Sequence, residues 1–471
     1  MKARNPRTGE VDYEFAESSR EEIAASAARL RAAQPAWEAM GPQGRAEVMN
    51  RFADALEAAA PKVAAALAID TGRQAVSWLE VDGCARNIRK WAGKAPALFE
   101  GLPSEVDASL TPGVEIVPAY SAYPLFGAIC PWNFPVILSH IDAVPALMAG
   151  CAALVKPSEI TPRFVEPMRE VLAAVPELPL AYIMGGPEVG QALIEEVDYV
   201  CFTGSTGTGR KVAEACARQL IPANLELGGK DPMIVTASAD PEWAAGVALR
   251  SGIVATGQAC QSIERIYVAR EIADTFLTRL VEHAEAVELT YPDPAKGHLG
   301  PFIFPPQGAK VQAHINDAVD KGARVLSGGT IEELGGGTYM RPTILADVTT
   351  DMDVMREETF GPVLPVTIFD NVEDAIAQAN NTEYGLSAAV LAGSMEEAAA
   401  IGSRLEAGAI SLQDGAMTSM VGDAANESRK ASGLGPSRMG DSGLLRFLRR
   451  QSLIRQTGQA MTIAAYAEGQ R

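Results

Sequence analysis

At 471 residues, 47% of them hydrophobic and 21% charged, the chain is long for one hydrophobic core and points to two or three folded units rather than a disordered segment. A formal net charge of −19 argues against nucleic acid held by a general electrostatic patch, although backbone amides and one lysine can still hold an anionic cofactor. No apolar stretch follows Met1-Lys2-Ala3-Arg4-Asn5-Pro6, and no apolar run reaches the roughly 18 residues that span a bilayer, so neither a signal peptide nor a membrane partner is expected.

Residues 19–100 read as helices. Ser19-Arg20-Glu21-Glu22 fits a capping box, alanine-rich amphipathic sequence runs to Met40 and again over 45–67, and a third helical stretch covers 76–98. Nothing in this region looks chemical, and it reads as scaffold. Val114-Glu115-Ile116-Val117 then alternates like a strand between Pro112-Gly113 and Pro118. From Ala128 onward, apolar runs at 152–155, 181–184 and 199–202 alternate with helical segments at 162–174, 189–196 and 207–218. Buried strands alternating with helices specify an α/β fold with a mainly parallel, doubly wound sheet, whose ligands bind beyond the carboxyl ends of the strands.

A second α/β unit starts near Asp231-Pro232-Met233-Ile234-Val235 and runs to about 446. It has helices over 240–250, 271–288 and 307–322, a strand at 266–268 and a loop over 327–341. Pro365 cannot donate to a ladder, so Val363-Leu364-Pro365-Val366 is expected at a sheet edge or a bulge. The tail run 461–466 is expected as one more strand, forming with 114–117 a small projecting arm whose edge invites another subunit. The six cysteines (Cys84, Cys130, Cys151, Cys201, Cys216, Cys260) are scattered, which suits reduced thiols in a cytoplasmic setting. The four histidines (His140, His283, His298, His314) show no metal-ligand spacing, and no metal is expected.

Six stretches carry chemistry. Cys260 stands among small and amide residues in 251–262; its thiolate would be a strong nucleophile, and glycine and alanine neighbours leave room for a carbonyl. Taken alone, such a cysteine is more often buried and inert. Lys156-Pro157-Ser158-Glu159 follows a buried strand, where the lysine can reach ribose or phosphate and Glu159 can accept from a ribose diol while repelling a 2′-phosphate. Phe202-Thr203-Gly204-Ser205-Thr206-Gly207-Thr208-Gly209 joins a strand to a helix and would bring amides to a pyrophosphate, without matching the usual GxGxxG spacing. Leu225-Glu226-Leu227-Gly228-Gly229-Lys230 sets a carboxylate between leucines, where an apolar setting raises its pKa toward that of a general base. In Pro131-Trp132-Asn133-Phe134-Pro135, rigid prolines can hold the Asn133 amide as an oxyanion donor, and Glu358-Thr359-Phe360-Gly361-Pro362 could contact a ribose and a ring. Each alone also reads as an ordinary turn, cap or surface group.

Together these motifs, with Gly257-Gln258-Ala259-Cys260, resemble the aldehyde dehydrogenase superfamily, in its order and from Asn5-Pro6 to about residue 455. The resemblance implies two doubly wound α/β domains, a dinucleotide-binding one over 1–107 and 124–228 and a catalytic one over 229–446. A small β oligomerisation arm would span 108–123 and 447–471. It implies NAD(P)-dependent oxidation of an aldehyde to its acid by a homodimer or homotetramer, with NAD favoured over NADP. Cys260 would be the nucleophile, Asn133 the oxyanion donor and Glu226 the base that activates water. Trp132, Lys156, Glu159, Gly186, Phe202, Gly204, Ser205, Leu227, Glu358 and Phe360 would bind the dinucleotide. Phe134, Ile137, Ile141, Ala259, Gln261 and Met417 would line a mostly apolar pocket for a medium-sized apolar or aromatic aldehyde.

The chain departs from the family at Gly408-Ala409-Ile410-Ser411-Leu412-Gln413-Asp414, and Gly433-Leu434-Gly435-Pro436-Ser437-Arg438 lacks the usual Gly-Arg-Glu. Both loops are expected at the substrate entrance. Two rival readings are a dehydrogenase that passes its thioester to coenzyme A, and a catalytically silent structural relative. A water-activating Glu226 argues against the first, and the presence of Cys260, Asn133 and Glu226 against the second.

Overall fold

The computed structural model describes residues 1–468, and the expected arm segment 447–471 therefore extends three residues beyond the described chain. After a short antiparallel pair, Lys2–Arg4 with Val11–Glu14, come helices Arg20–Ala39, Gly41–Thr71 and Gln74–Glu100. The first is set by its capping box: Glu22 N donates to Ser19 Oγ at 3.2 Å, and Ser19 N donates to Glu22 Oε2 at 2.8 Å. Gly72 ends the second at φ 69°, where a Cβ would lie 2.6 Å from Pro301 Cγ, so only glycine turns the chain there. Arg73 is thereby delivered to the start of the third helix.

The first sheet runs in the order Gly433–Leu434, Ala223–Glu226, Tyr199–Thr203, Leu125–Ile129, Ala152–Lys156, Leu180–Tyr182; all neighbours are parallel except the first pair. The chain winds outward from 125–129 to one side and then crosses to the other, so its switch point lies between 125–129 and 199–203. The second sheet runs Arg324–Ser327, Thr343–Ala346, Val363–Phe369, Ile263–Ala269, Asp231–Val235, Ser387–Leu391, Ala409–Leu412, with only the first strand antiparallel. The fold is thus the expected mixture of two mainly parallel α/β sheets, each faced by helices and by apolar core.

Three expectations are corrected. Pro365 lies in an interior strand rather than at an edge: it is the last residue paired with 343–346, at Leu345, while pairing with 263–269 starts one residue later at Val366. The handover between ladders is where a missing N–H is tolerated. The loop expected over 327–341 contains a hairpin, Ile331–Leu334 with Gly337–Met340, turned by Gly335 and Gly336 at φ 60° and 88°, the left-handed pair that a two-residue hairpin turn needs. The arm strand that pairs with Val114–Ala122 is Leu448–Gln456, antiparallel over nine residues, and not 461–466, where Ile463–Tyr466 is a short exposed helical turn. Polar residues on both faces of 448–456 hide its alternation, because this two-sided ribbon stands in solvent.

Candidate active site

Sheet register gathers the motifs. Ile129 pairs with both Lys156 and Phe202, and Thr203 pairs with Glu226, so four strands end in one row at the carboxyl edge. From that row the chain leaves into the 130–135 turn, the 157–161 loop, the 204–206 helix start and the Gly228-Gly229 crossing.

Cys260 comes from the other sheet, in the loop between helix Pro241–Ile253 and strand Ile263–Ala269. That loop is pinned on several sides. Ile303 N donates to Gln258 Oε1 at 3.0 Å, Thr256 Oγ1 donates to Gly300 O at 3.0 Å, and Asn133 Nδ2 donates to Gln258 O at 3.0 Å. Ala255 and Thr256 stand at φ 57° and 62°, a left-handed conformation that non-glycine residues hold only when surroundings impose it. Gly257 is there for a different reason than room for substrate: a Cβ on it would lie 2.3 Å from the Gly361 backbone. Cys260 itself is half-buried, and burial, then the Asp231 and Glu358 carboxylates, pushes its thiol up to about 12.

Glu226 closes its strand with its carboxylate between hydroxyl and cation. Ser428 Oγ donates to Glu226 Oε2 at 3.0 Å, and Arg438 Nε lies 4.0 Å from Glu226 Oε1. Its setting is therefore not simply apolar. Burial raises its pKa, Arg438 opposes that, and Asp142 adds to it. Behind Glu226, the buried Asp142 accepts from both Arg438 and Arg446, and Arg438 Nη2 also donates to Thr203 Oγ1 at 2.8 Å. The Gly433–Arg438 stretch, expected at the substrate entrance, thus sends Arg438 inward behind the carboxylate, where it is 8% exposed.

The glycines of the crossing and cradle answer to close approach. A Cβ on Gly228 would lie 2.6 Å from the Glu358 carboxylate, and one on Gly229 would lie 2.5 Å from Asp231 Oδ1 and 3.0 Å from Cys260 O. One on Gly209 would lie 2.5 Å from Leu227 Cδ2, and one on Gly204 2.5 Å from Phe202 Cζ. Ser205 caps helix Thr206–Gln219, accepting from Thr208 N at 3.4 Å, so the exposed start of a 14-residue helix faces outward beside Gly204. Lys156 Nζ donates to Glu159 Oε2 at 3.1 Å, pairing the two residues read separately in the sequence. Gly186 starts helix Pro187–Glu196, and its N–H already donates to Glu17 Oε1 at 3.0 Å. Phe360, at φ 55°, stands edge-on to Trp132 with ring centroids 5.5 Å apart.

Glu358 accepts from Gly229 N at 3.3 Å; burial, then Glu264, raises its pKa to about 7.

Of the expected pocket residues, Phe134, Ile137 and Ile141 lie half-buried along or beside the short helix Pro135–His140, and Ala259 and Gln261 flank Cys260. Met417 starts the short helix Met417–Met420 and is 41% exposed. Residues that sequence reasoning passed over complete the surroundings: Arg73, Glu80, Asp142, Glu264 and Arg438, each 8% exposed or less. Glu80 inside a helix, Glu264 inside a buried strand, Arg73 and Asp142 at helix caps and Arg438 in a loop carry no local signal of their partners. Among the described residues no group of three or more metal-ligating side chains is gathered, and no helix is long and apolar enough to cross a membrane.

Comparison with known proteins agrees with the geometry. The model of the family described as "Aldehyde dehydrogenase family" matches residues 1–453. The Mycolicibacterium smegmatis protein named "Putative succinate-semialdehyde dehydrogenase (NADP(+))" is 38% identical over 438 residues, covering 92% of this chain and 84% of its own. "Betaine aldehyde dehydrogenase 1" of Rhizobium meliloti is 35% identical over 415 residues, covering 86% of this chain and 84% of its own. The solved structure of the Anabaena variabilis protein named "Putative Aldehyde Dehydrogenase PutA" is 46% identical and superimposes with a TM-score of 0.95 over 98% of both chains.

Proposed function

The chain belongs to the aldehyde dehydrogenase family and is an aldehyde-oxidising oxidoreductase, and we propose that it works through a covalent intermediate on Cys260 that water resolves. The observation that carries this reading is the meeting of the two sheets: Asn133 Nδ2 reaches Gln258 O, two residues before Cys260, while register brings Glu226 to the same edge.

In this reading the Cys260 sulfur, once deprotonated, adds to the aldehyde carbon. The resulting oxyanion is held by Asn133 Nδ2, which turns from the Gln258 carbonyl, and by the Cys260 backbone N–H. A nicotinamide dinucleotide held here would supply the hydride acceptor, and the carbon oxidised in that way would stay on Cys260 as a thioester. Glu226 takes a proton from water, the water oxygen adds to the thioester carbon, and the thiolate leaves as the acid is released. Arg438 and Ser428 favour the carboxylate form of Glu226 that this step requires.

The chain's own residues fit a dinucleotide: an open helix start at Ser205, glycines at 204 and 228 against which Phe202 and Glu358 lie close, and the Trp132–Phe360 ring pair. Lys156 and Glu159 would meet the ribose, Phe202, Leu227 and Gly186 would wall the adenosine side, and Glu358 would take the second ribose. NAD is the proposed cofactor because the Glu159 carboxylate would repel a 2′-phosphate. The M. smegmatis relative is named for NADP(+), so initial rates with both dinucleotides decide it, a clear NADP preference overturning the assignment.

Relatives are named for succinate-semialdehyde and betaine aldehyde, which carry charged tails. Phe134, Ile137, Ile141 and Met417 support a medium-sized apolar or aromatic aldehyde instead, which a substrate panel tests. The ribbon of 114–122 and 448–456, with Leu453 and Ile454 exposed, is proposed as the surface that pairs subunits into a dimer or tetramer.

The mechanism is tested with two variants. Cys260→Ala should abolish reduction of the dinucleotide, and Glu226→Gln should retain a single burst while acid release stops. Retained turnover in Cys260→Ala would sink the mechanism, and turnover that needs coenzyme A would assign the acylating reaction.

A further inference from the structure

Arg73 is buried, 4% exposed, at the N-cap of helix Gln74–Glu100. Its guanidinium faces two loops at once: Nη2 donates to the Asn133 carbonyl, and Nη1 donates to the Ala255 carbonyl at 3.4 Å, with the Phe134 ring 5.1 Å away. Seven residues on, two turns along the same helix face, lies Glu80, also 4% exposed. Glu80 Oε2 accepts from Val136 N at 3.1 Å and Ile137 N at 3.4 Å. One helix therefore grips the 133–137 turn by a carbonyl at one end and two amides at the other. Its cation also takes hold of the left-handed Ala255, five residues before Cys260.

Burial draws Arg73 down to about 10, with Glu80 opposing, and raises Glu80 to about 7, with Arg73 opposing. Each charge is thus held in the interior at a cost that the other offsets.

We infer that Arg73, supported by Glu80, is a positioning residue for the reaction: its planar fork joins the turn that carries Asn133 to the loop that carries Cys260, fixing the oxyanion donor relative to the nucleophile. The inference rests on the assignment of Asn133 as that donor. It follows from geometry and from the sensitivity of transition-state hydrogen bonds to placement, since a donor displaced by about 1 Å loses on the order of 100-fold in rate. Guanidinium is required rather than any cation, because only a planar fork reaches two carbonyls in divergent loops while stacking on an aromatic ring.

The experiment compares Arg73→Lys, Arg73→Gln, Asn133→Ala and the double variant of Arg73→Lys with Asn133→Ala, reading kcat, KM for each substrate and melting temperature. Expected is a fall in kcat of roughly 10-fold or more for Arg73→Lys, with KM for the dinucleotide within about twofold. Arg73→Gln should fall further, and should it fail to fold, Arg73→Lys carries the test. Because Arg73 acts through Asn133, the double variant should be no slower than Asn133→Ala alone, within about twofold. A slow Asn133→Ala beside an Arg73→Lys of unchanged kcat overturns the positioning role and leaves the oxyanion assignment standing, as does a double variant whose losses multiply. Full activity of Asn133→Ala overturns the oxyanion assignment and this inference with it.

Discussion

Arg438 Nε lies 4.0 Å from Glu226 Oε1, across a gap short enough to bias the carboxylate yet too long to occupy it as a hydrogen-bond partner. The guanidinium is kept there by Asp142 and Thr203, so it stands fixed beside Glu226 without consuming its lone pairs.

The sign of its effect gives the first prediction. In its proposed role as base Glu226 must be ionised, and burial raises its pKa while Arg438 lowers it. Activity is therefore present above that pKa and lost as pH falls through it. Arg438→Gln removes the lowering influence, so the acid limb of kcat moves to higher pH, with the rate on that limb dropping by roughly 3- to 10-fold and recovering at alkaline pH. A kcat–pH profile of the variant that superimposes on the parent contradicts the arrangement.

Asp142 holds two guanidinium groups, from Arg438 and Arg446, in the interior. Burial alone would raise its pKa, but the two cations outweigh it and the net direction is down. Its contribution to stability is consequently present above the ordinary carboxylate range and lost as pH falls through the lowered value. Asp142→Asn removes the carboxylate shared by two buried cations, leaving Arg438 only the more distant Glu226, a loss on the order of 3–5 kcal/mol. The melting temperature at pH 7 should fall by several degrees, and the gap from the parent should narrow in acid. An unchanged melting temperature at pH 7 would show that the cluster contributes nothing.

The contrast between these residues and Cys260 shows what the sequence made legible. Cys260, Asn133, Glu226 and the 202–209 turn each lie in a short motif that becomes informative once the motifs are taken together, because a strand end, a turn and its glycines are local. Arg438 and Asp142 are 296 positions apart, and Arg73 is 60 from Asn133 and 182 from Ala255, so no window contains both partners. Pro365 misled for a related reason: the rule against proline in a ladder is local, and the exemption comes from two neighbouring strands that take over from one another at that residue. The alternation in 448–456 is hidden because neither face of that ribbon is buried in the protomer.

Glu264 sits under the loop that carries Glu358 and Phe360. It accepts from Thr359 N and Phe360 N, both at 2.8 Å, and from Lys230 Nζ at 2.6 Å, while Lys230 also donates to Thr359 Oγ1 at 3.0 Å. These bonds hold Phe360 in its left-handed conformation against Trp132. Glu264→Gln exchanges a carboxylate acceptor for a neutral amide, and at about 1.5–3 kcal/mol for a hydrogen bond to a charged group the loop proposed to meet the cofactor should loosen measurably. The expected result is a rise of roughly 10-fold in KM for the dinucleotide with little change in KM for the aldehyde. Equal rises in both constants would mean that Glu264 supports the fold generally and not that loop.

The resting state of Cys260, the proposed nucleophile, supplies the last prediction. Burial, followed by the Asp231 and Glu358 carboxylates, pushes the Cys260 thiol up to about 12, so without bound ligands it is protonated at neutral pH. Alkylation needs the thiolate, whose fraction rises tenfold for each pH unit below the pKa. In the free enzyme, inactivation by iodoacetamide should be slow at pH 7 and its rate constant should climb about tenfold per unit from pH 8 to 10 without levelling. The other five cysteines are buried, and Cys260 alone is half-buried, so loss of activity and mass labelling should track one site. Neutralising a neighbouring carboxylate tests the cause as well as the state: Glu358→Gln removes one of the two named negative charges and should speed alkylation at fixed pH. A plateau below pH 8 in the parent would mean that the free enzyme already holds Cys260 as a thiolate, and that its surroundings stabilise the charge that burial here opposes.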